Sequence, residues 1–247
     1  MLSKNEVKYI QSLCHKRQRD TDNVFVAEGP KLVHELLLSQ ADILHIYALK
    51  EWIEVQPHHT FPLTEISAIE LEKISQLQTP NQVLLIARQQ RPTGDPILKN
   101  HCLLALDGIQ DPGNMGTILR IADWFGITQV VCSEDCVDLY NTKVVQSTMG
   151  SITRVQCWYV NLNEWLIGKI VPVYGALLNG NNVYEAEKIK EGILVIGNES
   201  KGIRSDVLSK ITHPVTIPKK GMAESLNAAV ATGIILSHLV GEIVSSF

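Results

Sequence analysis

The chain has 247 residues, 45% hydrophobic and 19% charged, with 16 glycines and 10 prolines, a balance that excludes a disordered or collagen-like polymer and predicts one or two domains. Its net charge of −4 at pH 7 supplies no global attraction for a nucleic acid, and no apolar run approaches the ~20 residues of a membrane span. The opening residues Met1 to Glu6 lack the apolar stretch of a secretory signal and the five cysteines are scattered, so a soluble cytoplasmic protein without a membrane partner is expected.

A helix is predicted from about Lys4 to Arg17, with Val7, Ile10, Leu13 and Cys14 at helical spacing as its buried stripe. The same stretch gathers Lys4, Lys8, Lys16, Arg17 and Arg19 against Glu6 and Asp20, so it is either an ordinary solvated helix or a basic arm. The polar turn Asp20 to Asn23 precedes a strand at Val24 to Glu28, and Gly29-Pro30 opens a helix through about Ser39 with Leu32, Val33, Leu36 and Leu37 on one face. Strands at Ile43 to Leu49 and Gln82 to Arg88, with a helix at Ile66 to Ile74 between them, complete a compact α/β module.

Residues Gln89 to Pro96 are polar and hold two prolines and a glycine, which marks a linker. The expected division is residues 1–90, a linker at 91–100, and a second domain over 101–247. There, strand-like runs at His101 to Leu106, Gln129 to Cys132, Val171 to Leu178, Ile193 to Ile196 and Pro214 to Ile217 alternate with helix patterns at Gly116 to Phe125, Asn141 to Met149 and Glu224 to Val244. Such alternation predicts a largely parallel sheet covered on both faces.

Three segments of this second domain could carry chemistry. In Leu106 to Arg120 an apolar strand runs into a loop with glycines at 108, 113 and 116, and Asn114 and Arg120 could converge on one substrate group. The plain alternative is a turn in which Asn114 caps the helix and Arg120 pairs on the surface. In Gly192 to Ile203 a buried-type strand delivers Glu199 into a glycine-flanked turn, where backbone can approach a ligand; otherwise Glu199 is an acid at a helix start. In Val215 to Gly233 a strand, a glycine turn and an alanine-rich helix follow one another, exposing Ser225 and Asn227, and simple capping by Ser225 would account for the same pattern. A P-loop is excluded because Asn114 stands where its lysine belongs, and no GxGxxG fingerprint supports a dinucleotide oxidoreductase.

Taken in order, Asn114 to Arg120, Gly197-Asn198-Glu199-Ser200-Lys201-Gly202, and Ile217-Pro218 through Ser225-Leu226-Asn227 resemble the three motifs of the SpoU (TrmH) family of RNA ribose methyltransferases. The similarity spans about residues 101 to 245, and Phe25 to Val33 resembles the small substrate-binding domain, similar to ribosomal protein L30e, of one branch of that family. Lys219, Lys220 and Met222-Ala223-Glu224 depart from the usual third motif.

The resemblance implies an α/β, SPOUT-type parallel sheet with a carboxyl-terminal trefoil knot, preceded by a small α/β L30e-like domain. It implies a homodimer with active sites at the subunit interface, and Val230, Ile234, Ile235, Leu239 and Ile243 are the apolar face expected there. The implied cofactor is S-adenosyl-L-methionine, held around Leu177, Ile196, Gly197, Ile217, Ser225 and Leu226, with no metal. Arg120 is implied to stabilise the developing alkoxide of a ribose 2′-hydroxyl, Asn114 to position ribose or phosphate, and Glu199 and Asn227 to position these groups and the cofactor. The expected substrate is a guanosine of ribosomal RNA in preference to transfer RNA. A protein that binds RNA on this fold without catalysis is the alternative, disfavoured by the presence of both Asn114 and Arg120.

Overall fold

The computed structural model describes residues 1–56 and 61–240. In chain order the first elements are α1 (Lys4–Ser12), α2 (Lys16–Asp22), β1 (Val24–Glu28), α3 (Pro30–Leu38), β2 (Ile43–Ala48), α4 (Lys50–Glu54), β3 (Leu63–Glu65), α5 (Ala68–Ile74) and β4 (Val83–Arg88). They are followed by β5 (Cys102–Asp107), α6 (Pro112–Trp124), β6 (Gln129–Ser133), α7 (Thr142–Thr148), β7 (Gln156–Val160), α8 (Leu162–Leu166), β8 (Val173–Asn182), β9 (Gly192–Gly197), α9 (Ser205–Leu208), β10 (His213–Thr216) and α10 (Ala228–Leu239). Two compact units emerge: Met1–Gln90 together with Asp138–Thr153, and Arg91–Val137 together with the chain from Arg154 onward. The second unit therefore lacks the segment around α7 that a single cut near residue 90 assigns to it.

In the first unit the sheet order is β1-β4-β2-β3, with β4 antiparallel to β1 and β2 and with β3 parallel to β2. Ile10 and Leu13 from the amino-terminal segment and Leu71 and Ile74 from α5 pack on Val24, Val26, Leu84 and Ile86. Ser3 and Glu6 form a capping box that starts α1. The predicted single helix to Arg17 is broken after Ser12, because Arg19 folds back and donates through Nη1 to the carbonyls of Leu13 and Cys14, satisfying acceptors that a continuous helix would have used. Its Nη2 also pairs with Asp138 at 2.6 Å, and the side chain is 2% exposed. Arg19 consequently leaves the predicted basic patch, and Cys14 is exposed instead of joining the buried stripe.

In the second unit every pairing of the sheet β10-β8-β9-β5-β6-β7 is parallel. Its central strands are buried throughout Leu103–Leu106 and Ile193–Ile196, as strands covered on both faces must be. Leu162, Leu166 and Val207 cover one face over Leu103, Val131 and Ile193, and α10 packs against α6. Helix α6 starts four residues before the predicted Gly116: Asp111 caps it through the Asn114 amide and Pro112 occupies the first turn. Asn114 is thus inside the helix and is not its cap. Helix α10 starts at Ala228, later than the predicted Glu224, because Asn227 accepts from the amides of Ala229 and Val230. Ile243 and Val244 lie outside the described residues.

Candidate active site

The three sequence segments meet at the carboxyl ends of β5, β9 and β10, the edge of a parallel sheet where strands deliver loops and helix amino termini toward a ligand. A cleft of 1210 Å³ opens there, and Leu177, Ile196, Gly197, Ile217, Ser225 and Leu226 all line it, as does Glu199. Its floor is apolar, with Ile196 at 2%, Ala228 at 5% and Ile235 at 1% exposure. Gly197 is required by close approach: a Cβ there would lie 2.4 Å from the backbone of Gly202 and Ile203. Gly202 adopts φ +68°, a conformation that side-chain-bearing residues rarely take.

Asn114, Glu199 and Asn227 form one hydrogen-bonded chain across these segments. The Asn227 side-chain amide donates to Asn114 Oδ1 at 2.8 Å, and the Asn114 side-chain amide donates to Glu199 Oε1 at 2.5 Å. Asn227 Oδ1 meanwhile accepts the Ala229 and Val230 amides, so the residue that caps α10 also orients Asn114. One polar cluster is therefore built jointly by the starts of two helices and the turn after β9, and of its three members Glu199 lines the cleft while Asn114 and Asn227 do not. Arg120 is elsewhere: it is exposed on α6, does not line the cleft, and forms no hydrogen bond or ion pair among the described residues. The surface ion pair that would explain it without chemistry is not formed. Lys201, Lys219 and Lys220 are exposed along the cleft.

Behind the cluster lies a charged pair that local sequence does not single out. Asp107 ends β5 with a side chain of 0% exposure, and it accepts from Arg204 in the ion pair at 2.5 Å. The only signal in the sequence is an acid closing an otherwise apolar strand. That hydrogen bond holds the Arg204 guanidinium pKa above its usual value. Nearby, the Ser133 hydroxyl keeps Asp135 below the usual carboxylate range. Cys136 is brought down to about 7, chiefly by its hydrogen bond with Cys132. Among the described residues no cluster has the ligands for a metal ion, and no helix is long and apolar enough to cross a membrane.

A parallel α/β sheet with a glycine-walled cleft at its carboxyl edge defines a ligand-binding α/β class of protein, and comparison with known proteins narrows it. The model of the SpoU rRNA Methylase family matches residues 101–237, and that of the MRM3-like substrate binding domain matches residues 4–85. The 23S rRNA (guanosine(2553)-2′-O)-methyltransferase RlmP of Bacillus subtilis is 31% identical over 97% of this chain and 98% of its own. A TrmH-family protein from Porphyromonas gingivalis superposes with a TM-score of 0.86 at 36% identity, covering 97% of this chain and 98% of that one. An AdoMet-bound rRNA methyltransferase from Sinorhizobium meliloti gives 0.84 at 28% identity, covering 97% and 95%. The chain belongs to the SpoU rRNA methylase family.

Proposed function

We propose that the protein transfers a methyl group from S-adenosyl-L-methionine to the ribose 2′-hydroxyl of a guanosine in ribosomal RNA. The observation that carries this reading is the Asn227–Asn114–Glu199 chain, which meets an apolar, glycine-walled cleft at Glu199. The cleft suits the cofactor: aliphatic side chains at Leu177, Ile196 and Ile235 can enclose an adenine, and Gly197 and Gly202 in its wall carry no side chain to obstruct it. When bound, the cofactor would supply an electrophilic methyl group on a sulfonium, its C–S bond breaking to leave a neutral thioether as the 2′-oxygen gains the methyl and gives up its proton to solvent.

This chain's residues then have three tasks. Ile196, Gly197, Ile217, Leu177, Ser225 and Leu226 bind and orient the cofactor. Asn114, fixed at both ends of its side chain by Asn227 and Glu199, presents an oriented amide to ribose or phosphate, which lowers the entropic cost of an in-line approach. Arg120 holds its proton too strongly to be an easy base, so its guanidinium stabilises the developing alkoxide.

Because Arg120 projects from α6 outside the cleft, a second copy of the chain is the natural source of that cation, and we read the protein as a homodimer with sites at the interface. Trp124 at 81% and Val230 at 51% exposure offer apolar surface for such an interface. Ile235 and Leu239, at 1% and 0%, are buried within the chain and are removed from the expected apolar face. Sedimentation equilibrium at micromolar concentration should give twice the chain mass; a monomer with intact methyl transfer would refute the interface site.

The carboxyl-terminal trefoil knot is proposed from the family match over residues 101–237. The L30e-like assignment is supported by the mixed four-stranded sheet of the first unit and by its match to a substrate-binding domain. A cytoplasmic location accords with five free cysteines.

The decisive experiment incubates the protein with methyl-labelled cofactor and unmodified ribosomal RNA or transfer RNA, followed by digestion to nucleosides. Label in 2′-O-methylguanosine from ribosomal RNA is expected. Label on a base, or in no RNA, would overturn the assignment, and label confined to transfer RNA would move the substrate.

A further inference from the structure

The turn Gly197–Gly202 forms a wall of the cleft and carries Glu199, its tip is exposed, and its own bonding is local: Asn198 and Gly202 exchange two backbone hydrogen bonds, at 3.1 and 2.8 Å, and the remaining bonds within the turn also go to Asn198. Bonds internal to the turn fix its shape but not its placement on the sheet, and Glu199 moves with it. What restrains it comes from the end of β5. Asp107, in register with Gly197 on the neighbouring strand, accepts the Arg204 backbone amide on Oδ2 at 2.7 Å and Arg204 Nε on Oδ1 at 2.7 Å. Asn198 donates from Nδ2 to the Gly108 carbonyl at 2.7 Å, while its Oδ1 accepts the amides of Ser200 and Lys201 at 2.9 and 3.1 Å. Both ends of the turn are therefore tied to consecutive residues, Asp107 and Gly108.

We propose that Asp107, Arg204 and Asn198 are positioning residues that clamp the Gly197–Gly202 turn to the end of β5 and so hold Glu199 against Asn114 in the geometry needed for methyl transfer. This role rests on the methyltransferase function proposed above. A buried carboxylate without a partner is strongly unfavourable, so Asp107 fixes Arg204 and with it the exit of the turn. Arg204 is half exposed, with a side-chain exposure of 45%, and removing its head group disturbs the turn rather than the core. Asp135, 3.5 Å from Arg204 Nη2 and hydrogen-bonded to Ser133, is a second anion facing the guanidinium, and Asp206 adds a weaker attraction. Ser133 in turn accepts the Gly108 amide at 2.8 Å, so the β6 end braces the same anchor.

The test uses the full-length protein and Arg204→Gln, with the paired variant Asp107→Asn/Arg204→Gln as a control that leaves no unpaired buried charge. First, hydrogen exchange at the amides of Ser200, Lys201 and Gly202 is compared with wild type. About tenfold faster exchange at this turn is expected in both variants, with the melting temperature lowered in Arg204→Gln by the unpaired Asp107 carboxylate and closer to wild type in the paired variant; unchanged exchange in a folded variant would overturn the clamp, whatever the protein catalyses. Second, turnover is measured in a double-mutant cycle with Glu199→Gln. Misplacement by an ångström can cost about 10² in rate, so Arg204→Gln should lower kcat at saturating cofactor by 10- to 100-fold, and that loss should vanish in the Glu199→Gln background. Additive losses would show that Arg204 does not act through Glu199. Arg204→Lys should recover part of the rate. A wild-type protein inactive on every RNA would instead overturn the proposed function, while the exchange measurement would still judge the clamp.

Discussion

Asn114 and Glu199 stand 85 positions apart in the chain and are joined by a 2.5 Å hydrogen bond from the Asn114 side-chain amide to the Glu199 carboxylate. One partner belongs to the first turn of α6 and the other to the turn after β9, so the bond exists only when β5 and β9 are paired in their native register. Asn227 completes the arrangement from the start of α10.

Asn227 has two separable duties, capping and orientation. Asn227→Ala removes both and should cost about 1 kcal/mol of stability through the missing cap together with turnover. Asn227→Asp keeps an acceptor for the Ala229 and Val230 amides and adds a favourable charge at a helix start, but it removes the donor to Asn114. Thermal unfolding at or above the wild-type midpoint, combined with reduced methyl transfer, is expected. An Asp variant with wild-type turnover would show that capping is the whole role.

Arg120→Ala should lower turnover by about 10² to 10³-fold, the usual effect of removing one preorganised charge interaction from a transition state, while cofactor affinity stays near wild type. Because the side chain is exposed and forms no bond among the described residues, stability should change by no more than about 0.5 kcal/mol. Titration calorimetry with the cofactor and single-turnover kinetics check the two halves separately.

Glu70 predicts a distinct acid dependence in the first unit. The Ser67 amide, then the Leu2 amide and the Ser67 hydroxyl, lower its pKa to about 2. A depressed carboxylate stabilises the fold fully above its unfolded value of about 4.3, and the benefit is lost as pH falls through about 2. The stability difference between wild type and Glu70→Gln should be constant above about pH 5 and should shrink steadily below it. A difference independent of pH down to 2 would exclude the carboxylate as its source.

The basic surface near the amino terminus is reduced by the burial of Arg19 to Lys4, Lys8, Lys16 and Arg17, all exposed. If these residues neutralise RNA phosphates, replacing the four with Gln should flatten the log–log salt dependence of RNA binding by about 0.7 to 1 unit for each phosphate left without its cation. Ile10 and Leu13 are untouched, so the first unit should stay folded. An unchanged slope would move the phosphate-binding role to Lys201, Lys219 and Lys220 at the cleft.

Much of the architecture was legible because burial writes a period into the chain. The apolar runs at Leu103–Leu106 and Ile193–Ile196 are strands buried on both faces, and Pro30 and Asn141 stand where helix starts are expected. The misjudged boundaries depend on groups distant from them. Helix α1 stops at Ser12 because Arg19 supplies donors from the next helix, and α6 begins early because Asp111, unremarkable in sequence, caps it. Strand β7, half exposed at the sheet edge, carries too weak an apolar pattern to stand out.

By itself the sequence determined the parallel α/β class, the glycines that leave the cleft walls bare, and the residue types Asn114, Glu199, Asn227 and Arg120 with their order along the chain. Those properties are local, since they depend on side-chain chemistry and on spacings of a few residues. Only the tertiary structure decided that Asn114 is held from both sides, that Arg120 is exposed and does not line the cleft of its own chain, and that Asp107 and Arg204 stand behind the turn. These facts rest on strand register and on hydrogen bonds 85 to 113 positions apart. Such bonds form only when the sheet brings its carboxyl edges together, and no pattern within a single segment encodes them.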